Sequence, residues 1–242
     1  ELALGDFAAA AAHAAAAIDR SKQTARPVDR ATAVALTAFY DAVREEPETA
    51  AQRADEAIAV ADEYGYRQWA ALARVIAAWV AALSRPSEAV LEQLLTRIDE
   101  WSVMDRASLS AILCLAADAH IRAAQRDTGL ALLERAEVHA RDTGERWYVA
   151  EIHRLRGTAA LVGQREEAEG HFQRAIDIAR TQGSRLWELP ASIDLARLWQ
   201  QEKRLDAALG LLTPVLATFA RAPETRDLRN ARHLQAELAG SG

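Results

Sequence analysis

Six small residues recur along the chain at nearly fixed intervals: Ala10, Ala50, Ala89, Gly129, Ala168 and Ala208, separated by 40, 39, 40, 39 and 40 residues. Each opens a frame of three positions spaced by four and then three. The frames are Ala10/Ala14/Ala17, Ala50/Ala54/Ala57, Ala89/Gln93/Thr96, Gly129/Leu133/Ala136, Ala168/Phe172/Ala175 and Ala208/Leu212/Val215. Such spacing places all three on one face of an α-helix, and small side chains there let a second helix come close. A self-similar period near 40 residues marks a stacked helical array, in which each unit buries its apolar face on its neighbours.

Composition agrees with an all-α chain. Across 242 residues there are only 11 Gly and 6 Pro, with 6% aromatics, too few turn formers and strand formers for an all-β fold. Ala, Leu, Arg and Glu dominate, and all four favour helices. The formal net charge is −6, and it is unevenly placed. Between Asp41 and Glu63 eight acids face only Arg44 and Arg53, so this window alone carries −6 and the remainder is neutral on balance. No basic stripe is present to neutralise phosphates, which argues against nucleic acid as a partner. The acidic window reads as a solvated outer helix face, because Glu48, Gln52, Asp55 and Asp62 share one side.

Cys114 is the single cysteine, so no internal disulfide can form, and the apolar run around it marks a small core or groove residue. No uncharged run approaches the ~18 residues of a membrane span. These features fit a reducing compartment, and the expectation is a cytoplasmic chain without a membrane span. The chain starts at Glu1 with the tail of one helix and a turn, as expected of a piece of a larger protein.

Turns within the helix pairs are predicted at Gly5-Asp6, Arg44–Pro47, Ser84–Pro86, Gln125–Thr128, Gly163–Arg165 and Glu202–Arg204. A second set joins successive pairs at Thr24–Pro27, Tyr64–Tyr66, Trp101–Asp105, Thr143–Glu145 and Gln182–Ser184. Gly at a helix end followed by Pro or an acid at the next start is the expected punctuation. About twelve helices result: a half repeat over 1–25, full repeats over 26–64, 65–102, 103–143, 144–182 and 183–222, and a capping helix over 224–239. Two prolines stand out. Pro190 lies early in its helix, where a missing N–H is tolerated, whereas Pro214 is expected to bend or interrupt its helix.

On these residues the chain resembles the tetratricopeptide repeat. Gly5-Asp6-Phe7 followed by Ala10, Ala14 and Ala17 is similar to the turn and second helix of that motif, and Gly163, Ala168, Phe172 and Ala175 repeat it. The period exceeds the usual ~34 residues. From Glu145 to Leu238 the likeness is more specific. The segments Glu145-Arg146-Trp147-Tyr148, Glu151–Gly157, Glu167-Ala168-Glu169, Trp187-Glu188-Leu189 and Leu195–Trp199 resemble the C-terminal repeats of bacterial multidomain signalling proteins with a STAND-type ATPase module. In those proteins an adenylate-cyclase-like or transcription-factor domain lies at the N-terminus. Nothing here resembles the phosphate-binding loop of the ATPase. The resemblance implies an all-α fold, a right-handed α-solenoid of about six such repeats with a C-terminal capping helix.

Residue types that carry catalysis are not arranged for it. The histidines are His13, His120, His139, His153, His171 and His233, and none falls in metal-ligand spacing. No Gly-rich phosphate cradle or nucleophile elbow is present. The expectation is therefore a non-enzymatic chain with no metal and no cofactor. His153, flanked by Glu151, Arg154 and Arg156, reads as part of an inter-helix salt-bridge network. Trp69, Trp147 and Trp187 keep the repeat register and are assigned to the core, while Trp79 and Trp101 lie off it and are expected to be partly exposed.

Tetratricopeptide proteins present the first helix of each pair to the concave side. Carrying the ligand-facing positions onto this chain by distance from each small residue gives Arg74, Cys114, Asp118, Arg122, His153, Arg197 and Gln201 as the candidate groove. The expected function is a protein–protein interaction or sensor arm of a bacterial signal-transduction protein, binding a peptide or partner domain in that groove. The alternatives are a small-molecule effector-sensing domain, and an oligomerisation scaffold through the N-terminal half repeat.

Overall fold

A computed structural model describes residues 6–24, 26–106, 108–220, 222 and 224–240. Gly5 of the first predicted turn, Ala25 of the second and the start at Glu1 lie outside the described residues. Among the described residues there are twelve helices and no strand. They are α1 Phe7–Gln23, α2 Pro27–Val43, α3 Pro47–Tyr64, α4 Arg67–Ser84, α5 Glu88–Met104, α6 Leu109–Arg122, α7 Arg126–Thr143, α8 Val149–Ala160, α9 Arg165–Thr181, α10 Arg185–Gln201, α11 Leu205–Ala217 and α12 Arg226–Gly240. The chain forms two compact units, one of residues 12–143 and one of residues 144 onward together with the start of α1 up to Ala11.

In the first unit each helix packs on the next from α2 to α7. In addition α2 touches α4, α4 touches α6, and α2 reaches α6. Among the described residues α3, α5 and α7 do not touch one another. The first helices of the pairs thus form an inner layer and the second helices are splayed around it. The second unit repeats this arrangement: α8, α10 and α12 make successive contacts, while among the described residues α9 and α11 stay apart.

Small-residue frames explain how the pairs close. Ala50, Ala54 and Ala57 are fully buried, as are Ala168, Phe172 and Ala175, and the Gly129 and Ala208 frames are buried too. Gly157 on α8 shows why small residues are needed: a Cβ there would stand 2.6 Å from the Phe172 ring of α9. The Phe172 ring fills that space in a cluster with Ala168, Ala175, Ile176, Ala191, Leu195 and Leu198.

Two frames are corrections: in the first, Ala10 is buried but Ala14 is half-buried and Ala17 exposed, and the third departs entirely. Ala89, Gln93 and Thr96 are all exposed, and α5 instead buries Leu91, Leu94, Ile98 and Trp101. The turn before α5 explains the shift. Glu45, Ala124, Gly163 and Lys203 each adopt a left-handed backbone, with φ of 52°, 60°, 86° and 63°, two residues before α3, α7, α9 and α11 begin. The equivalent position before α5 is Pro86, whose ring fixes φ near −65° and forbids that turn. Ser87 caps α5 instead, accepting a hydrogen bond from the Val90 N–H at 3.3 Å. The buried face therefore starts at Leu91, two residues later than the even spacing implied.

Other expectations also change. Trp79 and Trp101 are buried, 1% and 3% exposed, because their helices turn those positions into the core, whereas Trp69 and Trp147, assigned to the core, are half-buried and only Trp187 of that set is buried. Pro190 is the sixth residue of α10, beyond the free first-turn N–H groups, so it removes one bond to the Leu186 carbonyl. Pro214 does not interrupt α11, which runs on to Ala217. Both Pro214 and Gly210, whose carbonyl loses its donor, are exposed, so water can satisfy that group. After Gly144, α8 begins only at Val149, leaving Trp147 and Tyr148 in a turn where they meet Trp187 of α10 at ring-centroid distances of 6.4 and 4.5 Å.

Candidate functional site

The candidate groove residues divide between the two units. In the first unit, α6 is buried along its whole length from Leu109 to His120, so Cys114 is a core residue. Asp118 is nearly buried and holds the Arg122 Nε at 2.7 Å, and Arg122 also donates to Glu45 at 3.1 Å. Burial opposes the Arg122 charge, but the Asp118 and Glu45 carboxylates outweigh it and raise its pKa. Arg74 on α4 reaches both carboxylate oxygens of Asp62 on α3 at 2.7 Å. The structure thus joins Asp118 to Arg122 and turns Arg74 toward α3.

The acidic window is largely neutralised by arginines. Asp41 is paired with Arg53 at 2.6 Å, Glu46 with Arg44 at 2.8 Å, Glu56 with Arg30, and Glu45 and Asp62 with the arginines above. Glu48, Gln52 and Asp55 are exposed, as the helix-face reading expected. Asp41 is the unusual member. Its carboxyl is buried, which lifts its pKa from 3.8 to about 6 in spite of the Arg53 guanidinium.

An open cleft of about 410 Å³ lies over the α6 side chains Leu109 and Leu113, bordered by α7 on one side and by Ser102 of α5 and the turn after it on the other. Arg106, Glu134, Arg135 and Asp142 stand around it. It is a charged trough with an apolar floor, unlike a closed apolar ligand cavity.

In the second unit the network expected around His153 is present with different partners. The Arg154 guanidinium grips Glu151 through Nε and Nη2 at 2.7 and 2.6 Å and donates to Asp194 of α10 through Nη1 at 2.8 Å. Glu151 and Arg154 are buried and Asp194 is half-buried. His153, one residue earlier and so about 100° around the helix, faces α9, with its Nδ1 3.3 Å from Nδ1 of His171. Asp194, Arg197 and Gln201 follow a three-then-four spacing on one face of α10, and Arg197 and Gln201 are exposed there. Among the described residues, this is the part of the candidate set that offers polar groups to solvent without internal ion pairs.

Asp194 and His171 escaped the sequence reading. A signal for Asp194 exists: it lies 40 residues after Arg154, one repeat on. His171 carries no such signal, since nothing in its spacing from His153 fits a motif. A second cluster joins α9 to the turn before α11. Arg204 pairs with Glu169 at 2.8 Å and lies over the Trp199 ring at 4.7 Å, while the Trp199 indole N–H donates to Glu169 at 2.9 Å. The hydrogen bond from Arg204 holds the Glu169 carboxyl below the usual range.

Among the described residues, no helix is long and apolar enough to cross a membrane. Compared with protein-family models and with curated proteins, the chain matches none of them.

Proposed function

We propose that the chain is a tetratricopeptide-like, right-handed α-solenoid of about six repeats that acts as the interaction or sensor arm of a bacterial cytoplasmic signalling protein. It is non-catalytic, and its partner is a peptide or protein domain rather than nucleic acid or membrane. One observation carries this reading: in each unit the first helices of the pairs contact one another while the second helices stay apart. That asymmetry is what curves a stacked array and gives it an inner surface built from first helices. The exposed face of α10 bearing Arg197 and Gln201 belongs to that layer, and it is the surface we assign to the partner. By contrast, Cys114 and Asp118 are buried, and Arg74 and Arg122 hold internal carboxylates. The open cleft bordered by Arg106 and by Glu134, Arg135 and Asp142 of α7 likewise favours a macromolecular partner over a closed effector pocket.

The test is capture of proteins from host lysate on the immobilised chain and on the double variant Arg197→Glu, Gln201→Ala. The reading expects a specific protein retained by the first and lost from the second at unchanged melting temperature. Equal retention by both removes the α10 assignment. Reversal at Arg122 is unsuitable, because it would place like charges beside Asp118 and Glu45 and disturb α6 itself.

A further inference from the structure

His153 and His171 present their Nδ1 atoms to each other at 3.3 Å, one from α8 and one from α9. Their ring centroids lie 5.6 Å apart with the planes tilted by 31°, so the two nitrogens face each other almost head-on. Two neutral imidazoles in this position share one proton between two ring nitrogens. The same separation is that of two ligands on one metal ion. At a Zn–N length of 2.0–2.1 Å and a tetrahedral angle, two ligating nitrogens stand about 3.3–3.4 Å apart. As they stand the two nitrogens point at each other, so to hold an ion each ring must turn until its lone pair aims off the N···N line at a common point.

On the far side of the pair a carboxylate stands close, though beyond hydrogen-bond length. Glu167, one turn before His171 on α9, places a carboxylate oxygen 3.8 Å from His171 Nε2. A carboxylate beside the second nitrogen of a ligating imidazole orients the ring and raises its basicity. Imidazole pairs suit Zn²⁺ and its neighbours Ni²⁺ and Cu²⁺, and not the hard, oxygen-seeking Mg²⁺ or Ca²⁺.

We propose that His153 and His171 form a two-histidine site for a divalent transition-metal ion of the Zn²⁺ class, clamping α8 to α9. Among the described residues no group of three potential ligands gathers anywhere. The ion therefore keeps two positions for water, or for a donor brought by a partner. This site is independent of the α10 surface assigned above and would stand if that assignment fell.

The test is calorimetric titration of the whole chain with Zn²⁺ alone, paired with ¹⁵N spectra of the histidine rings. The expected result is one Zn²⁺ per chain, displacement of the Nδ1 resonances of His153 and His171, and reversal by a chelator. His153→Ala and His171→Ala should each weaken binding at least about tenfold, while His233→Ala leaves it unchanged. Absence of binding at about 1 mM Zn²⁺, or binding that both alanine variants retain, overturns the proposal. Should either variant fail to fold, the ring-nitrogen spectra of the unaltered chain decide: shifts confined to other histidines also overturn it.

Discussion

Arg154 of α8 and Asp194 of α10 are joined at 2.8 Å across one full repeat, 40 residues apart in sequence. Because Glu151 grips the other edge of the same guanidinium, one arginine ties together two inner helices at the cost of two buried charges and one half-buried one. Removing Arg154 strips the buried Glu151 carboxylate of both guanidinium hydrogen bonds and Asp194 of a third. Arg154→Ala should therefore lower stability by about 3–5 kcal/mol. Replacing Glu151, Arg154 and Asp194 together by Leu, Met and Leu should cost far less, since well-packed apolar replacements avoid the desolvation penalty. Urea midpoints at constant slope measure both.

The two-residue shift in α5 predicts opposite outcomes for neighbouring positions. Leu91→Ala should cost about 2–5 kcal/mol by opening a cavity in the core. Ala89→Lys, on the exposed side, should change stability by no more than about 0.5 kcal/mol. Were the even 40-residue frame correct, the two results would be exchanged. Thermal denaturation of the single variants distinguishes the registers.

Left-handed residues in the turns predict that stability can be gained without touching the core. Lys203 adopts φ 63°, and glycine has no Cβ to resist that conformation. Lys203→Gly should raise stability by about 0.5–1 kcal/mol. Gly163→Ala, at φ 86° and with open space around its Cα, should lower it by about 1–2 kcal/mol. Paired denaturation curves of the two variants test the turn assignment.

Asp41 predicts a specific dependence on pH. Its folded pKa of about 6 exceeds the value of 3.8 for a free side chain, because burial penalises the carboxylate. The folded state therefore binds this proton more tightly than the unfolded state. The group adds stability that is fully present below pH 3.8 and is lost as pH rises through 6. Asp41→Asn should remove that dependence. The stability of the natural chain relative to Asp41→Asn should fall between pH 4 and 7, as followed by urea denaturation across that range; a flat difference contradicts the assignment.

Much of the fold was legible because helix punctuation is local. Gly65 closes α3 with φ 76°, and Pro27 and Pro47 open α2 and α3 at their first positions, as the turn chemistry required. What escaped was decided by tertiary context. Pro86 displaced the α5 register through a turn whose left-handed residue no motif encodes. The burial of Trp79 and Trp101 depended on which way helices α4 and α5 roll once packed. At the site, the distance from the small residues points to His153, while the reach across to α10 belongs to Arg154, one residue and about 100° further on. Arg74 and Arg122 share residue type with groove residues, and only the fold shows that carboxylates within their own unit engage them.

The central claim is that partners dock on the inner helices, at the exposed face of α10. Hydrogen exchange of the full chain with and without the partner captured through Arg197 and Gln201 tests it most directly. The account predicts slowed exchange concentrated along α10, Arg185–Gln201, with α9 and α11 little altered. Protection confined to α9 and α11, with α10 unchanged, would contradict it.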